Sequence, residues 1–320
     1  MTPRHQASGR LGLGLALGSC TMLLWGVLPL ILQGVLRDLD PVTLTWFRFS
    51  FATVVLWIVL RWRAALPRLA GLGSRRLGLL LLATVFLAGN YIAYLLGLDR
   101  TNAPSAQVLI QAAPLLLALG GIFVFHERFA LLQWLGLGVL LLGMGGFFAD
   151  QLRTLVEGID RYVSGVLWIG VASVTWAVYG LAQKQLLLWL PSQGIMLCLF
   201  FGGALIFGVG AAPLKLAALD NVGWLLLIFA SANSLLAYGT FAAALEHSEA
   251  SRVSAVIALT PLATLGFTAV AAALWPQHVD ARVVTPGALI ASAVVVIGSL
   301  LVALGGRSAP AVPKAQASDR

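Results

Sequence analysis

Side chains able to hydrogen bond or stack recur at helical spacing inside stretches that are otherwise apolar. Asn90 and Tyr94 stand four apart and share a face with Gly97, while Gln107, Gln111 and Pro114 fall at i, i+4 and i+7. Trp176, Tyr179 and Gln183 fall at i, i+3 and i+7. Ser231, Asn233 and Tyr238 share one later stretch, Ser254, Thr260 and Pro261 the next, and Trp25 lies in the first. Amides and hydroxyls both donate and accept, and indole or phenol rings stack on planar or cationic solutes. Such groups are costly among apolar neighbours and turn towards a bundle interior or an aqueous path. Trp25, Asn90, Tyr94, Gln107, Gln111, Trp176, Tyr179, Asn233 and Tyr238 are therefore the candidate lining of a neutral, amphipathic cavity. The same groups can also bond helix to helix, worth about 0.6 kcal/mol each in a membrane, and for single residues both readings stay open.

Three further kinds of residue bear on mechanism. Pro114 and Pro261 each remove a helical hydrogen bond and kink the chain, either as a flexible break at a cavity or as a packing bend satisfied by a neighbour. Arg48 sits about five residues inside the second apolar stretch. Its head can reach the interface by snorkelling, or it can contact an anionic solute. The twelve acids all fall in loops, tails or helix ends. A proton-coupled antiporter of cationic drugs would benefit from a buried acid, and none is present. Coupling through Glu127 or a tyrosine, and simple facilitation, both remain consistent with these residues.

No spacing among the four histidines suggests a metal site. His126-Glu127 lacks the second histidine of a zinc-protease helix, and no Gly-Lys-Ser/Thr phosphate loop exists. No catalytic residue and no cofactor is therefore expected.

The elements that must hold these residues follow from composition. Of 320 residues, 60% are hydrophobic and 10% charged, with net charge +8 and mean hydropathy +0.94. That leaves too little polar surface to coat a soluble globule. A bilayer core of about 30 Å takes roughly 20 helical residues per crossing. This ruler predicts ten helices, at Leu13–Leu32, Thr43–Leu60, Leu77–Gly97, Ser105–Phe125, Leu131–Ala149, Val163–Gln183, Gly194–Pro213, Val222–Leu245, Val253–Leu274 and Pro286–Gly305. The fold class is all-α integral membrane, and the bilayer is a partner throughout.

Cys20 and Cys198 both lie in apolar runs, which excludes a disulfide scaffold. Apolar sequence continues past Cys20 to Leu36, so the Leu17-Gly18-Ser19-Cys20 run reads as part of a spanning helix and not as a lipoprotein cleavage site. Cationic residues nowhere alternate with aromatics on a polar face, so no nucleic-acid partner is expected. With the N-terminus inside, thirteen Lys/Arg fall on the cytoplasmic side and six outside, with Arg48 within a helix. Both termini are expected in the cytoplasm. Gly136, Gly138, Gly143, Gly145 and Gly146 allow close helix approach, within the chain or in a homodimer that nothing here requires.

The halves repeat. An offset of 147 pairs Tyr91 with Tyr238, Asp99 with Glu246 and Pro114 with Pro261, and an offset of 151 pairs Trp25 with Trp176. Five helices per unit put the second unit upside down, the inverted plan of many secondary transporters. The expected organisation is a cytoplasmic tail over 1–12, one five-helix unit over 13–149, a periplasmic linker over 150–162, a second unit over 163–305 and a disordered cytoplasmic tail over 306–320. On Trp25-Gly26, Arg48, Pro114, Glu127, Gln133, Gly136 and Gly143, and on Trp176, Pro261 and Gly287, each half resembles the five-helix unit of the EamA-type family in the drug/metabolite transporter superfamily. Leu274 stands where a second acid would match Glu127, a departure from that pattern. The resemblance implies a ten-helix inner-membrane carrier with a central cavity that moves small organic metabolites, amino-acid-like or drug-like, often outward. The alternatives are an integral-membrane enzyme or a non-transporting protein acting on lipid-like partners. The enzyme would need a cluster of acids, histidines or cysteines at one face, and none is found.

Overall fold

The computed structural model describes residues 10–69, 71–125, 130–154, 158–247, 253, 256–276, 279 and 284–305. Among them the secondary structure is helical throughout, with no strand. The helices are α1 (Leu11–Val35), α2 (Pro41–Trp62), α3 (Ser74–Arg100), α4 (Ala103–Leu109), α5 (Ala112–Phe125), α6 (Leu131–Thr154), α7 (Ile159–Leu186), α8 (Ser192–Gly208), α9 (Asn221–His247), α10 (Thr260–Leu274) and α11 (Pro286–Gly305), with a 3-10 turn over Pro213–Ala218. Among the described residues, seven helices are long and apolar enough to cross a bilayer, and Ala103–Leu117, Ser192–Gly208 and Thr260–Leu274 are shorter apolar stretches. Large apolar side chains such as Leu81, Leu142, Leu167, Leu225 and Ile290 point outwards from the bundle. In water such a surface would associate; against lipid it needs no cover.

Local signals fix the helix ends. Asp40 accepts the Thr43 backbone N–H at 2.9 Å and Pro41 opens α2, while Asn102 accepts the Ser105 N–H at 2.8 Å ahead of α4. Thr285 accepts the Ala288 N–H at the start of α11 and donates its hydroxyl to Asp150 at the end of α6. Gly287 leaves the room that the Asp150 carboxylate occupies.

Asp40 also joins the start of α2 to the second half, because it accepts from Lys215 Nζ at 3.0 Å and from the Thr43 hydroxyl, which in turn accepts the Ala212 N–H. Partial burial works to raise the Asp40 pKa, yet the Thr43 N–H and the Lys215 ammonium hold the carboxyl below its ordinary value of 3.8. A lowered folded-state pKa stabilises the fold above that ordinary value, and the gain disappears as pH falls through the folded pKa. Asp40→Ala is expected to cost about 1 kcal/mol at neutral pH. Asp40→Asn should keep part of the cap and lose the acid-side pH dependence, which thermal unfolding at pH 7 and pH 3.5 checks.

The fourth apolar stretch is broken. Residues Ile110–Gln111 leave the helix between α4 and α5, closed by Gln111 N–H to Val108 O and Ala113 N–H to Ile110 O. Pro114 explains the place: it has no N–H for the Ile110 carbonyl, and its ring crowds that carbonyl. In the second half a turn at Ala258–Leu259 precedes α10, again just ahead of a proline, Pro261.

The main packed pairs are α1 with α9, α3 with α7, α2 with α8, α6 with α11, α5 with α7, α1 with α10, α4 with α10, α2 with α9 and α3 with α8. Exchanging α1, α2, α3, α4/α5 and α6 for α7, α8, α9, α10 and α11 returns the same set. One hydrogen bond carries this to residue level. Asn90 Nδ2 donates to Ala172 O at 2.8 Å, and the positions matching these residues by the sequence offsets, Ala237 and Thr21, also meet, with Thr21 Oγ1 donating to Ala237 O at 3.5 Å.

Candidate functional site: a buried polar cavity

α1 presents Trp25, Leu28 and Leu32 on one face, and Pro29 lies within this turn. Proline has no N–H, so the Trp25 carbonyl loses its helical donor. Beside this gap Asn233 Nδ2 donates to Leu24 O and Thr264 Oγ1 to Gly26 O, both at 2.8 Å. Side chains of α9 and α10 thus satisfy carbonyls around the irregular turn. α3 contributes Asn90, Tyr91 and Tyr94, α9 contributes Ser234 and Tyr238, and α2 contributes Arg48. Together they line a cavity of about 110 Å3, in which Arg48, Asn90 and Ser234 are buried and Trp25, Tyr91, Tyr94 and Tyr238 half-buried.

Arg48 lies seven residues into α2, about 10 Å along its axis at 1.5 Å per residue, and is 5% exposed. Its head does not snorkel. It turns across the bundle, donating Nη2–H to Ser234 Oγ at 2.8 Å and lying 5.0 Å from the Tyr91 ring centre. Among the described residues, no carboxylate reaches it; the ionisable groups nearest its charge are Tyr91, Tyr94 and Tyr238. Arg48 Nε is buried with no hydrogen-bond partner. Aromatic contacts hold the walls: Trp25 meets Tyr238 edge-on at 5.7 Å, and Phe49 holds Tyr91 at 4.7 Å.

Trp25, Asn90, Tyr94 and Tyr238, read from sequence as cavity lining, line this space, and Arg48 joins them. The other candidates sit elsewhere. Asn233 bonds α9 to α1 and leaves its own Oδ1 without a partner. Tyr179 donates to Met196 Sδ at 3.5 Å between α7 and α8, with Trp176 edge-on to it. Gln107 is buried within α4, and Gln111 lies in the break, so they do not form the single continuous face expected of them. Pro114 is exposed and Pro261 buried. Glu127, the candidate coupling acid, lies outside the described residues, as does Ser254. Tyr91, Ser234, Leu28 and Leu32 were not among the sequence candidates. The spacing of Leu28 and Leu32 from Trp25, and of Ser234 from Tyr238, is the signal that could have found them.

A wider groove of about 1030 Å3 runs beside the start of α3 and the end of α7. Its polar side chains, including Ser74, Arg75, Arg76 and Gln185, are exposed or half-buried. Arg76 covers the Trp189 ring at 4.8 Å. Of these two spaces, the central cavity has a buried guanidinium in its wall.

A bundle of apolar helices around a small chamber lined by polar and aromatic side chains defines a multi-pass membrane protein. The chain belongs to the EamA-like transporter family, whose pattern matches residues 12–149 and again 163–304. It is 31% identical over 299 residues to a Haemophilus influenzae protein named "Uncharacterized transporter", covering 93% of this chain and 97% of that one. It is 32% identical over 297 residues to the Escherichia coli protein named "Uncharacterized inner membrane transporter YhbE", covering 92% of each. A solved structure at 19% identity superposes with a TM-score of 0.61 over 93% of this chain and all of its own, which establishes the shared fold. Family and relatives point to a transporter and away from an enzyme.

Proposed function

We propose that the chain is a ten-helix secondary carrier of a small organic metabolite, working by alternating access and directed outward. Its two five-helix units, 13–149 and 163–305, lie in opposite orientations across the inner membrane, with 150–162 in the periplasm and both tails in the cytoplasm. The observation that carries this reading is the cavity itself: a chamber lined by polar and aromatic side chains where helices of both halves meet. The unchanged packing set under exchange of the halves supports it, because such a set lets two states trade roles at similar energy. The breaks ahead of Pro114 and Pro261 supply points where a helix can pivot.

Purified protein in proteoliposomes, supplied with an extract of metabolites, is expected to release a subset of solutes faster than empty vesicles. Metabolite profiling of cells with and without the gene should show the same solutes accumulating when it is absent. Protein-dependent flux of no solute at all defeats the proposal. Reporter fusions after Gly305 and within Val156–Tyr162 check orientation: cytoplasmic signal at the first and periplasmic at the second is expected, and a periplasmic C-terminus overturns it.

A further inference from the structure

We infer that the central cavity binds the carboxylate of a net-anionic organic solute, with Arg48 as its counter-ion. The inference rests on the carrier reading above and names the substrate class of that site. An arginine inside a membrane bundle is kept only where something answers its charge. Here the chain supplies a neutral hydroxyl and the face of a phenol ring, and no acid among the described residues. Guanidinium offers five N–H donors in a planar fork suited to a carboxylate. Nη2 is occupied by Ser234, Nε is buried without a hydrogen-bond partner, and the Arg48 side chain lines the cavity.

The remaining walls set the rest of the solute. Trp25, Leu28 and Leu32 are apolar or aromatic, and the tyrosine hydroxyls offer further donors. A volume of about 110 Å3 holds three or four waters at roughly 30 Å3 each, so it takes the carboxylate and the few atoms next to it. A cationic solute would meet Arg48 with nothing to offset the repulsion. An organic anion moved alone is also driven outward by an inside-negative potential, about fifty-fold at 100 mV, which agrees with the proposed direction.

The test uses full-length protein in detergent with benzoate, benzamide and benzylamine, three probes of one shape and different charge. Benzoate is expected to raise the melting temperature in a saturable way, and benzamide and benzylamine to leave it unchanged. Arg48→Met should abolish the shift; Arg48→Lys, which keeps the charge without the fork, should need at least tenfold more benzoate. Melting of each variant without ligand shows that it is folded, and Tyr94→Phe, which removes only a hydroxyl, should weaken benzoate binding while keeping its preference over the amide. A shift from benzylamine equal to that from benzoate, or one surviving in folded Arg48→Met, overturns the inference, as does chloride alone reproducing it. In proteoliposomes, flux of neutral or cationic solutes without any carboxylate defeats the inference and leaves the carrier standing. Absence of all flux defeats the carrier.

Discussion

Arg48→Met should unfold at a higher temperature than the wild type and yet fail to carry an anion. Stripping water from a cation costs several kcal/mol even after relaxation. Against this, the fold returns one charge-assisted hydrogen bond to Ser234, worth about 1.5–3 kcal/mol, and one cation–π contact with Tyr91, worth about 2 kcal/mol or more when desolvated. Methionine fills similar volume with flexible apolar atoms, and Ser234 keeps its own bond to the Ala230 carbonyl at 3.5 Å. Replacing buried ionic groups by well-packed apolar ones is commonly neutral or stabilising by about 1–4 kcal/mol. At roughly 2–4 °C per kcal/mol for a chain approaching this size, a rise of several degrees is expected. A fall of several degrees would make Arg48 a structural strut and remove the reason for assigning its charge to a ligand. A rise joined to loss of anion binding means that the residue is kept against the interest of the empty protein.

Much of the scaffold was legible because bilayer thickness sets helix length and chain chemistry sets helix ends. Leu13–Leu32 and Thr43–Leu60 read from hydropathy lie within Leu11–Val35 and Pro41–Trp62, and the Asp40-Pro41 start of α2 is visible as a cap followed by proline. The break at Ile110–Gln111 was only half legible. Pro114 announced an interruption, but the apolar sequence runs on, since a broken helix inside protein is as apolar as an intact one. Gln107 and Gln111 then ceased to share a face, because helical spacing holds only along an unbroken helix.

The cavity was less legible for a different reason. In a soluble helix the polar face marks the outside, whereas membrane helices are apolar all round and give no such bearing. Asn90 and Asn233 look alike in sequence and each donates to a carbonyl of another helix, but Asn90 also lines the chamber. Arg48 illustrates the limit best. Its distance from the end of α2 suggested a route to the interface, but its head follows the nearest donor-accepting partner, and that is Ser234, 186 residues away in the chain. Only the packing of α2 against α9 reveals it. The same packing explains why Tyr91, one residue from Asn90, also reaches the chamber: its ring lies under the guanidinium and against Phe49.

Gly298→Val is expected to be the most damaging single change outside the cavity. Without a hydrophobic drive between helices in lipid, association depends on close van der Waals contact, and small residues permit it. Where α6 meets α11, a Cβ added at Gly298 would fall on the backbone N and Cα of Leu140. Gly136 and Gly143 complete the contact from α6: a Cβ at the first would lie 2.7 Å from Val302 N, and at the second 2.7 Å from Val295 N. Backbone, unlike a side chain, cannot step aside by changing rotamer, so the two helices must separate along their whole contact. A cost of about 3 kcal/mol or more is expected, at or beyond the upper end of overpacking, and melting in detergent should fall accordingly. Gly138 and Gly145 lie on the same glycine-rich helix with nothing within 4 Å of an added Cβ. Gly138→Val should therefore leave melting nearly unchanged, shifted only by a few tenths of a kcal/mol from helix propensity. Equal losses at Gly138 and Gly298 would show that the open glycine face is covered by a second copy of the chain and that α6–α11 packing is not the role of these glycines. A loss confined to Gly298 assigns them to the α6–α11 pairing, whose residues do not line the cavity.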